Sequence, residues 1–206
     1  MDTPLIAKVD RLLGPLPGSL AKLLETLASC PGLDAAYFLE PVDGKRGIVS
    51  AWIWRGTDGL LAGREHIERA TGRQRPLFYE ERIYSVIGTF GEVSADTGLT
   101  AGMVHIGPSV DDTAHRAEID FGNRVAWPTL TAHGGFANGY FVEDPAGRGL
   151  MALGVWSTPP VGTELEEAIQ ARGVSAGFDM KARAPVHIEQ YRISGVARPR
   201  LVTAGA

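Results

Sequence analysis

Two stretches of this chain resemble each other position by position. Residues 32–41 resemble residues 135–144, and the identical pairs all fall at an offset of 103: Gly32/Gly135, Tyr37/Tyr140, Phe38/Phe141 and Glu40/Glu143. Residues 47–54 then resemble residues 149–156 at an offset of 102, so one residue is missing in the turn between the two stretches. Solenoid and propeller repeats have periods of about 20–50 residues. The longer period predicts a duplicated domain.

Each copy carries the same order of predicted elements, βαββαβ. Apolar and alternating runs predict strands at 5–9, 34–40, 47–54 and 78–87 in the first copy, and at 101–106, 136–143, 149–156 and 186–193 in the second. Amphipathic spacing predicts helices at 20–27 and 58–70 in the first copy and at 163–172 in the second. The remaining helix of the second copy is predicted to be short, or to begin at Pro128, because proline disrupts a helix interior. Residues 111–123 have no evident counterpart in the first copy.

The central strands indicate how the copies pack. Residues 48–54 and 150–156 are apolar at both odd and even positions, whereas a strand with one wet face alternates polar and apolar residues. Both sheet faces should therefore be covered, one by helices and the other by the second copy. We predict an α+β fold of two tandem ferredoxin-like βαββαβ units, residues 1–96 and 97–206, packed sheet to sheet as a dimeric α+β barrel within one chain. Two independent domains on a linker are the alternative.

The composition restricts the partners. The 206 residues carry a formal net charge of -4, and 44% of them are hydrophobic. Phosphate-backbone binders need a basic surface, so we expect no nucleic-acid partner. The longest apolar runs have the length of strands, whereas a membrane helix needs about 20 apolar residues. We expect a cytoplasmic protein with no membrane contact, either a monomer that is an intramolecular pseudo-dimer or a homodimer.

The motifs of common cofactors are absent from the sequence. The five histidines show no metal-ligand spacing, there is a single cysteine, Cys30, and no P-loop or dinucleotide-binding glycine motif occurs. We therefore expect no metal and no cofactor.

Three local features resemble the antibiotic biosynthesis monooxygenase-like family of the dimeric α+β barrel superfamily. They are Pro31-Gly32-Leu33 before the second strand, a third strand that ends in Trp54 or Trp156, and the helix that follows each tryptophan. The resemblance covers both halves of the chain. It implies a cofactor-independent monooxygenase that acts on an aromatic or polyketide-like molecule bound between sheet and helices.

The resemblance also implies site residues. Trp54 and Trp156 would line the substrate cleft, and Ser50 or Ala152 would stand where the family pattern has an asparagine. Haem-degrading relatives use a histidine on the second helix, for which His66 is the candidate in the first copy. A haem-binding or haem-degrading protein is therefore one alternative function. A non-catalytic small-molecule-binding or structural protein on the same scaffold is another.

The two copies differ where a ligand would bind. Trp52 of the first copy corresponds to Gly154 of the second, on the same strand face as Trp156. Removing an indole leaves a void, so we predict an open substrate pocket beside Gly154 in the second half. Two strand residues, Asn138 and Tyr140, could hydrogen-bond a ligand there, and His105 on the first strand of that half could act as a proton acceptor.

Overall fold

The computed structural model describes residues 3–12, 19–43, 47–71, 78–92, 99–158, 164–181, 183–184 and 186–199. Within these ranges the chain is α+β and its paired strands are antiparallel, which confirms the α+β part of the predicted fold. No helix in the described residues combines the length and apolar character needed to cross a membrane.

The chain forms two compact units, and each unit is made of segments that are not continuous in the sequence. The first contains residues 1–85, 95–97 and 192–206, and the second contains residues 86–94 and 98–191. The boundary predicted between residues 96 and 97 lies outside the described residues. The predicted sheet-to-sheet packing and the duplication itself stay predictions.

The first unit has the predicted order of elements. They are β1 (Leu5–Leu12), α1 (Leu20–Ala28), β2 (Leu33–Pro41), β3 (Ile48–Arg55), α2 (Gly56–Thr71) and β4 (Phe78–Gly91), with residues 86–91 of β4 belonging to the second unit. Strand β1 pairs with both β3 and β4, and β3 also pairs with β2. Helices α1 and α2 cover one face of this sheet, where their leucines pack against Phe38 and Trp54.

The second unit contains β5 (Thr100–Ile106), α3 (Asp112–Phe121), a π-helical turn (Gly122–Ala126), α4 (Trp127–Ala132), β6 (Phe136–Glu143), β7 (Leu150–Trp156), α5 (Glu164–Ser175) and β8 (Val186–Ala197), with residues 192–197 of β8 belonging to the first unit. Strand β7 pairs with β5 and β6. Residues 111–123, which have no counterpart in the first copy, are largely helical. Pro128 lies in the first turn of α4, where the missing N–H costs little.

Two matched glycines of the repeat have the same unusual backbone. Gly32 has φ 76° and Gly135 has φ 87°, a conformation that side chains disfavour. A Cβ at Gly32 would lie 2.5 Å from the Cα of Gly59 in α2, so glycine also permits the close approach of helix and strand. The glycine of the Pro31-Gly32-Leu33 sequence is therefore required by the local backbone conformation and by the packing of α2 against this segment.

A buried ion pair fastens the segment after α5 to α3. The carboxylate of Glu118, 6% exposed, accepts hydrogen bonds from Nε (3.1 Å) and Nη2 (2.7 Å) of Arg183 and from the backbone N–H of Ala184 (3.0 Å). The guanidinium of Arg183 also lies 3.5 Å from the ring centroid of Phe121. Removing one partner of such a pair leaves the other charge buried and uncompensated.

We therefore expect Glu118→Ala to lower the free energy of unfolding by about 3 kcal/mol. Asp120→Ala on the same helix is the matched control, because the Asp120–Arg124 pair is exposed and should contribute less than about 1 kcal/mol. Urea unfolding of both variants measures the difference. Equal losses in the two variants would contradict a stabilising role for the Glu118–Arg183 pair.

Candidate functional site

The first unit has a cluster of polar side chains on the sheet face that α1 and α2 cover. Lys8 and Asp10 are two residues apart on β1, so their side chains project to the same side. In the β1–β3 pair Lys8 lies opposite Trp52 and Asp10 lies opposite Ser50. Directly opposed residues share a face, and Trp52 packs against the apolar cluster that α1 and α2 help to form. The carboxylate of Asp10 therefore lies on the helix-covered face.

Asp10 is completely buried, and among the described residues Lys8 is its close cationic partner. The ammonium of Lys8 lies 2.7 Å from Oδ1 and 2.5 Å from Oδ2 of Asp10. The same ammonium lies 3.3 Å from Oε2 of Glu81, which is opposite Asp10 on β4 and 43% exposed. Lys8, 14% exposed, thus lies between a buried and a solvent-facing carboxylate.

Burial raises the pKa of Asp10 above its ordinary value of 3.8. The charge and hydrogen bond of Lys8 oppose this shift, and the negative charge of Glu81 adds to it. Desolvation disfavours the charged form of a carboxyl group, which makes its ionised form a stronger base. A titratable group whose pKa is shifted by burial and by a specific charged partner is a candidate for a functional site.

Aromatic side chains adjoin this ion pair. The ammonium of Lys8 lies 5.3 Å from the ring centroid of Trp52, within the range of a cation–π contact. The Trp52 ring is 6.3 Å from Phe38 and 6.1 Å from Trp54, measured between centroids. The indole N–H groups of Trp52 and Trp54 are buried without a hydrogen-bond partner among the described residues. This face thus combines a buried base, a cation and two available donors beside aromatic rings.

Of this group, only Ser50 and Trp54 were predicted from the sequence as site residues. Ser50 is 1% exposed and lies on the same face of β3 as Trp54, as predicted. Asp10, which lies opposite Ser50 on β1, was not predicted as a site residue. The available signal was the i, i+2 spacing of Lys8 and Asp10, which places two charges on one face of an otherwise apolar strand.

Trp54 and His66 contact residues of α1 and α2 or of their ends. Trp54 is completely buried, and a Cβ at Gly63 of α2 would lie 2.0 Å from its ring, so helix and indole are in direct contact. The Nε2 atom of His66 lies 3.1 Å from the hydroxyl oxygen of Ser29 at the end of α1. The structure thus assigns these residues to the packing of α1 and α2 and gives no contact of His66 with Asp10.

The space predicted to be open beside Gly154 is filled. A Cβ at Gly154 would lie 2.1 Å from Cη2 of Trp156, and a Cβ at Gly102 would lie 3.3 Å from the same indole. Trp156 itself is 5% exposed, and its ring meets Phe136 edge to face at 5.8 Å. The void that the missing indole would leave at residue 154 is taken by the ring two residues later.

The other candidates of the second unit lie on the opposite face of their sheet. His105 pairs with Met151, Asn138 with Val155 and Tyr140 with Leu153, whereas Gly154 pairs with Gly102 and Gly139. Because side chains alternate between faces, the structure does not bring His105 to the face of Gly154 and Trp156. Its Nε2 atom lies instead 2.9 Å from the carboxylate of Glu189.

In the second unit, apolar residues stand where the first unit has Asp10 and Ser50. The positions of the second unit that correspond to Asp10 and Ser50 in the strand pairing are Val104 and Ala152. Trp127, 1% exposed, stacks on Phe90 with centroids 4.2 Å apart and fills the space above Gly139. Lys8 and Asp10 therefore lie on the helix-covered face of the first unit. An aromatic cluster that includes Trp127 and Phe90 lies on the corresponding face of the second unit. No cluster of three or more potential metal ligands occurs among the described residues.

Solved structures with the same fold are known. A candidate monooxygenase from Fusobacterium nucleatum subsp. nucleatum has a TM-score of 0.70 at 8% identity, over 96% of this chain and 95% of that chain. A candidate monooxygenase from Lactobacillus acidophilus has a TM-score of 0.63 at 7% identity, over 95% and 96%. An anthrone oxidase-like protein has a TM-score of 0.58 at 14% identity, over 100% and 98%.

The chain has the fold of these monooxygenase-like proteins. The scaffold implied by the sequence resemblance is thereby confirmed at the level of fold. No protein-family model and no curated protein matches the sequence.

The filled space beside Gly154 can be tested by substitution. Gly154→Ala should lower the free energy of unfolding by about 1–3 kcal/mol, because its Cβ would displace the Trp156 ring. Gly134→Ala is the control, since a Cβ there meets no atom within 4 Å. Urea unfolding and tryptophan fluorescence measure both effects. A Gly154→Ala variant as stable as the control would show that the space is open after all.

The burial of Asp10 has a consequence for stability. Because the pKa of Asp10 is raised in the folded chain, the folded state binds this proton more tightly than the unfolded state does. Relative to Asp10→Asn, the wild-type chain should therefore gain stability as the pH falls through the raised pKa towards 3.8, and lose stability as the pH rises through it. Urea unfolding of both proteins at pH values from about 4 to 8 tests the sign. A difference that grows in favour of the wild type with rising pH would contradict the raised pKa.

Proposed function

We propose that the chain is a cofactor-independent monooxygenase that acts on an aromatic or polyketide-like small molecule. The observation that carries the proposal is the buried carboxylate of Asp10, which lies on the same helix-covered face of the first unit as Trp52. The names of the proteins that share the fold, two candidate monooxygenases and an anthrone oxidase-like protein, support the same class of reaction.

Asp10 would act as the general base. Its carboxylate takes a proton from an acidic carbon of the substrate, and the resulting carbanion supplies the electrons that reduce dioxygen. For a CH₂ group that becomes a ketone, one atom of O₂ enters the product and the other leaves in water with the two hydrogens. A carboxylate out of contact with water is suited to this task, because desolvation raises its proton affinity.

The aromatic residues would bind and orient the substrate. An indole has a large flat face and a single donor, so Trp52 can both stack against a planar ring and donate a hydrogen bond to a carbonyl oxygen. Holding the acidic carbon near Asp10 contributes to the rate by fixing the reacting atoms in place.

A non-catalytic protein on the same scaffold is the second candidate. The observation in its favour is the ion pair itself, since Lys8 contacts both oxygens of Asp10 and could hold this carboxylate only for stability. The two candidates differ in the effect of a neutral residue at position 10.

Asp10→Asn should lower the rate of oxygen uptake with an anthrone-type substrate by about 100-fold or more, because the amide cannot accept the proton. An oxygen electrode measures the rate, and urea unfolding verifies that the variant is folded. Asp120→Asn, at an exposed position of α3, is the control that should keep the wild-type rate.

Two results would overturn the proposal. A folded wild-type chain that consumes no oxygen with any anthrone-type or polyketide-like substrate would leave the non-catalytic candidate. Unchanged oxygen uptake by Asp10→Asn would exclude Asp10 as the base.

A further inference from the structure

The register of β1 with β4 brings Glu81 to the ion pair of Lys8 and Asp10. Asp10 lies opposite Glu81 in this antiparallel pair, and Lys8 lies opposite Ile83. Residues that are directly or diagonally opposed on one sheet face lie within reach of each other's side chains. The ammonium of Lys8 lies 3.3 Å from Oε2 of Glu81 and also contacts both carboxylate oxygens of Asp10. One ammonium group therefore contacts two carboxylates.

The two carboxylates differ in their access to water. Asp10 is completely buried, whereas the side chain of Glu81 is 43% exposed. Ile83, two residues further along β4, is 46% exposed, so this part of β4 borders the solvent. Water stabilises the charge of Glu81, whereas the charge of Asp10 depends on groups of the chain.

The polar groups that act on Asp10 come from three strands. Among the described residues, β1 contributes Lys8, β3 contributes the hydroxyl group of Ser50, and β4 contributes Glu81. Helices α1 and α2 contribute leucine side chains to the cluster on this face. Burial raises the pKa of Asp10, Lys8 opposes this shift, and Glu81 adds to it.

Glu81 acts differently on the two charge states of Asp10. When Asp10 is ionised, Glu81 repels it and competes with it for Lys8. When Asp10 is protonated, the repulsion is gone and Glu81 remains a counter-charge for Lys8, whose side chain is 14% exposed. A partly buried ammonium group is costly without a counter-charge. Glu81 therefore disfavours the ionised state of Asp10 and favours the neutral state.

We propose that Glu81 is a positioning residue that keeps the ammonium group of Lys8 beside Asp10 in both charge states of the buried carboxyl group. Asp10 can then take up and release a proton while Lys8 stays over the Trp52 ring. The benefit for catalysis rests on the proposed function, in which Asp10 is the base. The effect of Glu81 on the protonation of Asp10 does not depend on that function.

The protonation of Asp10 can be followed directly. NMR of the carboxyl carbons in a ¹³C-aspartate-labelled chain gives the titration midpoint, and the spectrum of Asp10→Asn identifies the signal. Glu81→Gln should move this midpoint to lower pH, because it removes a repelling charge and leaves Lys8 to Asp10. Glu81→Asp keeps the charge and should retain most of the wild-type midpoint. Glu81→Ala is the second neutral variant if Glu81→Gln does not fold.

Salt provides a test on the wild-type chain itself. In about 1 M salt the Debye length is about 3 Å, and exposed charges are screened more than buried ones. The influence of the exposed Glu81 should therefore weaken before that of the buried contact between Lys8 and Asp10. The midpoint of Asp10 should fall with added salt, and it should fall less in Glu81→Gln.

A double-mutant cycle tests the same idea through stability. Asp10→Asn represents the neutral state of Asp10, and in this background Glu81→Gln removes a counter-charge of Lys8. In the wild-type background the same change also relieves the repulsion between two carboxylates, so it should cost less stability there. Urea unfolding at a pH above the titration midpoint of Asp10 measures both costs.

Glu80→Gln is the matched control for both experiments. Glu80 is the preceding residue of β4, so it projects to the other face, and it pairs with Arg11 and Arg82. This change should leave the titration midpoint of Asp10 nearly in place. It should also cost the same stability in the wild-type and Asp10→Asn backgrounds.

The outcomes separate this inference from the proposed function. An unchanged or higher midpoint in folded Glu81→Gln overturns the role of Glu81 and leaves Asp10 as the proposed base, and so does an equal cost of this change in both backgrounds. The predicted shifts without any oxygen uptake by the wild type uphold Glu81 and overturn the monooxygenase. Where oxygen uptake occurs, its pH–rate profile should move with the midpoint in Glu81→Gln. A rate profile that stays in place while the midpoint moves upholds Glu81 and excludes Asp10 as the base.

Discussion

The pairing of Lys8 with the buried carboxylate of Asp10 is the constraint around which the first unit is arranged. A carboxylate with no exposure to water requires a partner, and β1 supplies that partner from its own face two residues earlier. The opposing strand supplies Ser50 and Trp52, and helices α1 and α2 cover the same face. The fold thus holds a perturbed base, a cation and an aromatic surface in one place.

The two units use equivalent strand positions differently. In the first unit, the indole of Trp52 lies on the strand face, and the indole of Trp54 packs against α2 at Gly63. In the second unit, Trp156 folds back over Gly154, and Trp127 packs over Gly139. The helical run that delivers Trp127 includes a π-helical turn, a feature that rotates the following residues relative to a regular helix. In the second unit, aromatic rings of the chain itself thus fill the space beside Gly154 and Gly139.

This difference reverses which unit carries the candidate site. A glycine in place of an indole indicated an opening in the second unit, because a smaller side chain leaves space. A smaller side chain leaves space only if its neighbours stay in place, and here a neighbouring ring, that of Trp156, lies in the space. Close packing of protein interiors favours this outcome. The Asp10–Ser50 pair in the first unit is the feature that distinguishes the units, because the register of β1 with β3 brings these two residues opposite each other.

The sequence by itself determined the α+β class, the resemblance to monooxygenase-like proteins, and the order of strands and helices apart from α3 and the π-helical turn that follows it, which it did not predict. Periodicity, turn residues and matched glycines such as Gly32 and Gly135 are local properties, so they can be read along the chain. It also placed Ser50 on the face of the third strand that later proved to carry the polar group. Only the tertiary structure decided that Asp10 lies opposite Ser50, that His105 faces away from Trp156, and that Trp156 fills the space at Gly154. The physical reason is that strand register and side-chain rotation depend on contacts between residues far apart in the chain, which no local pattern encodes.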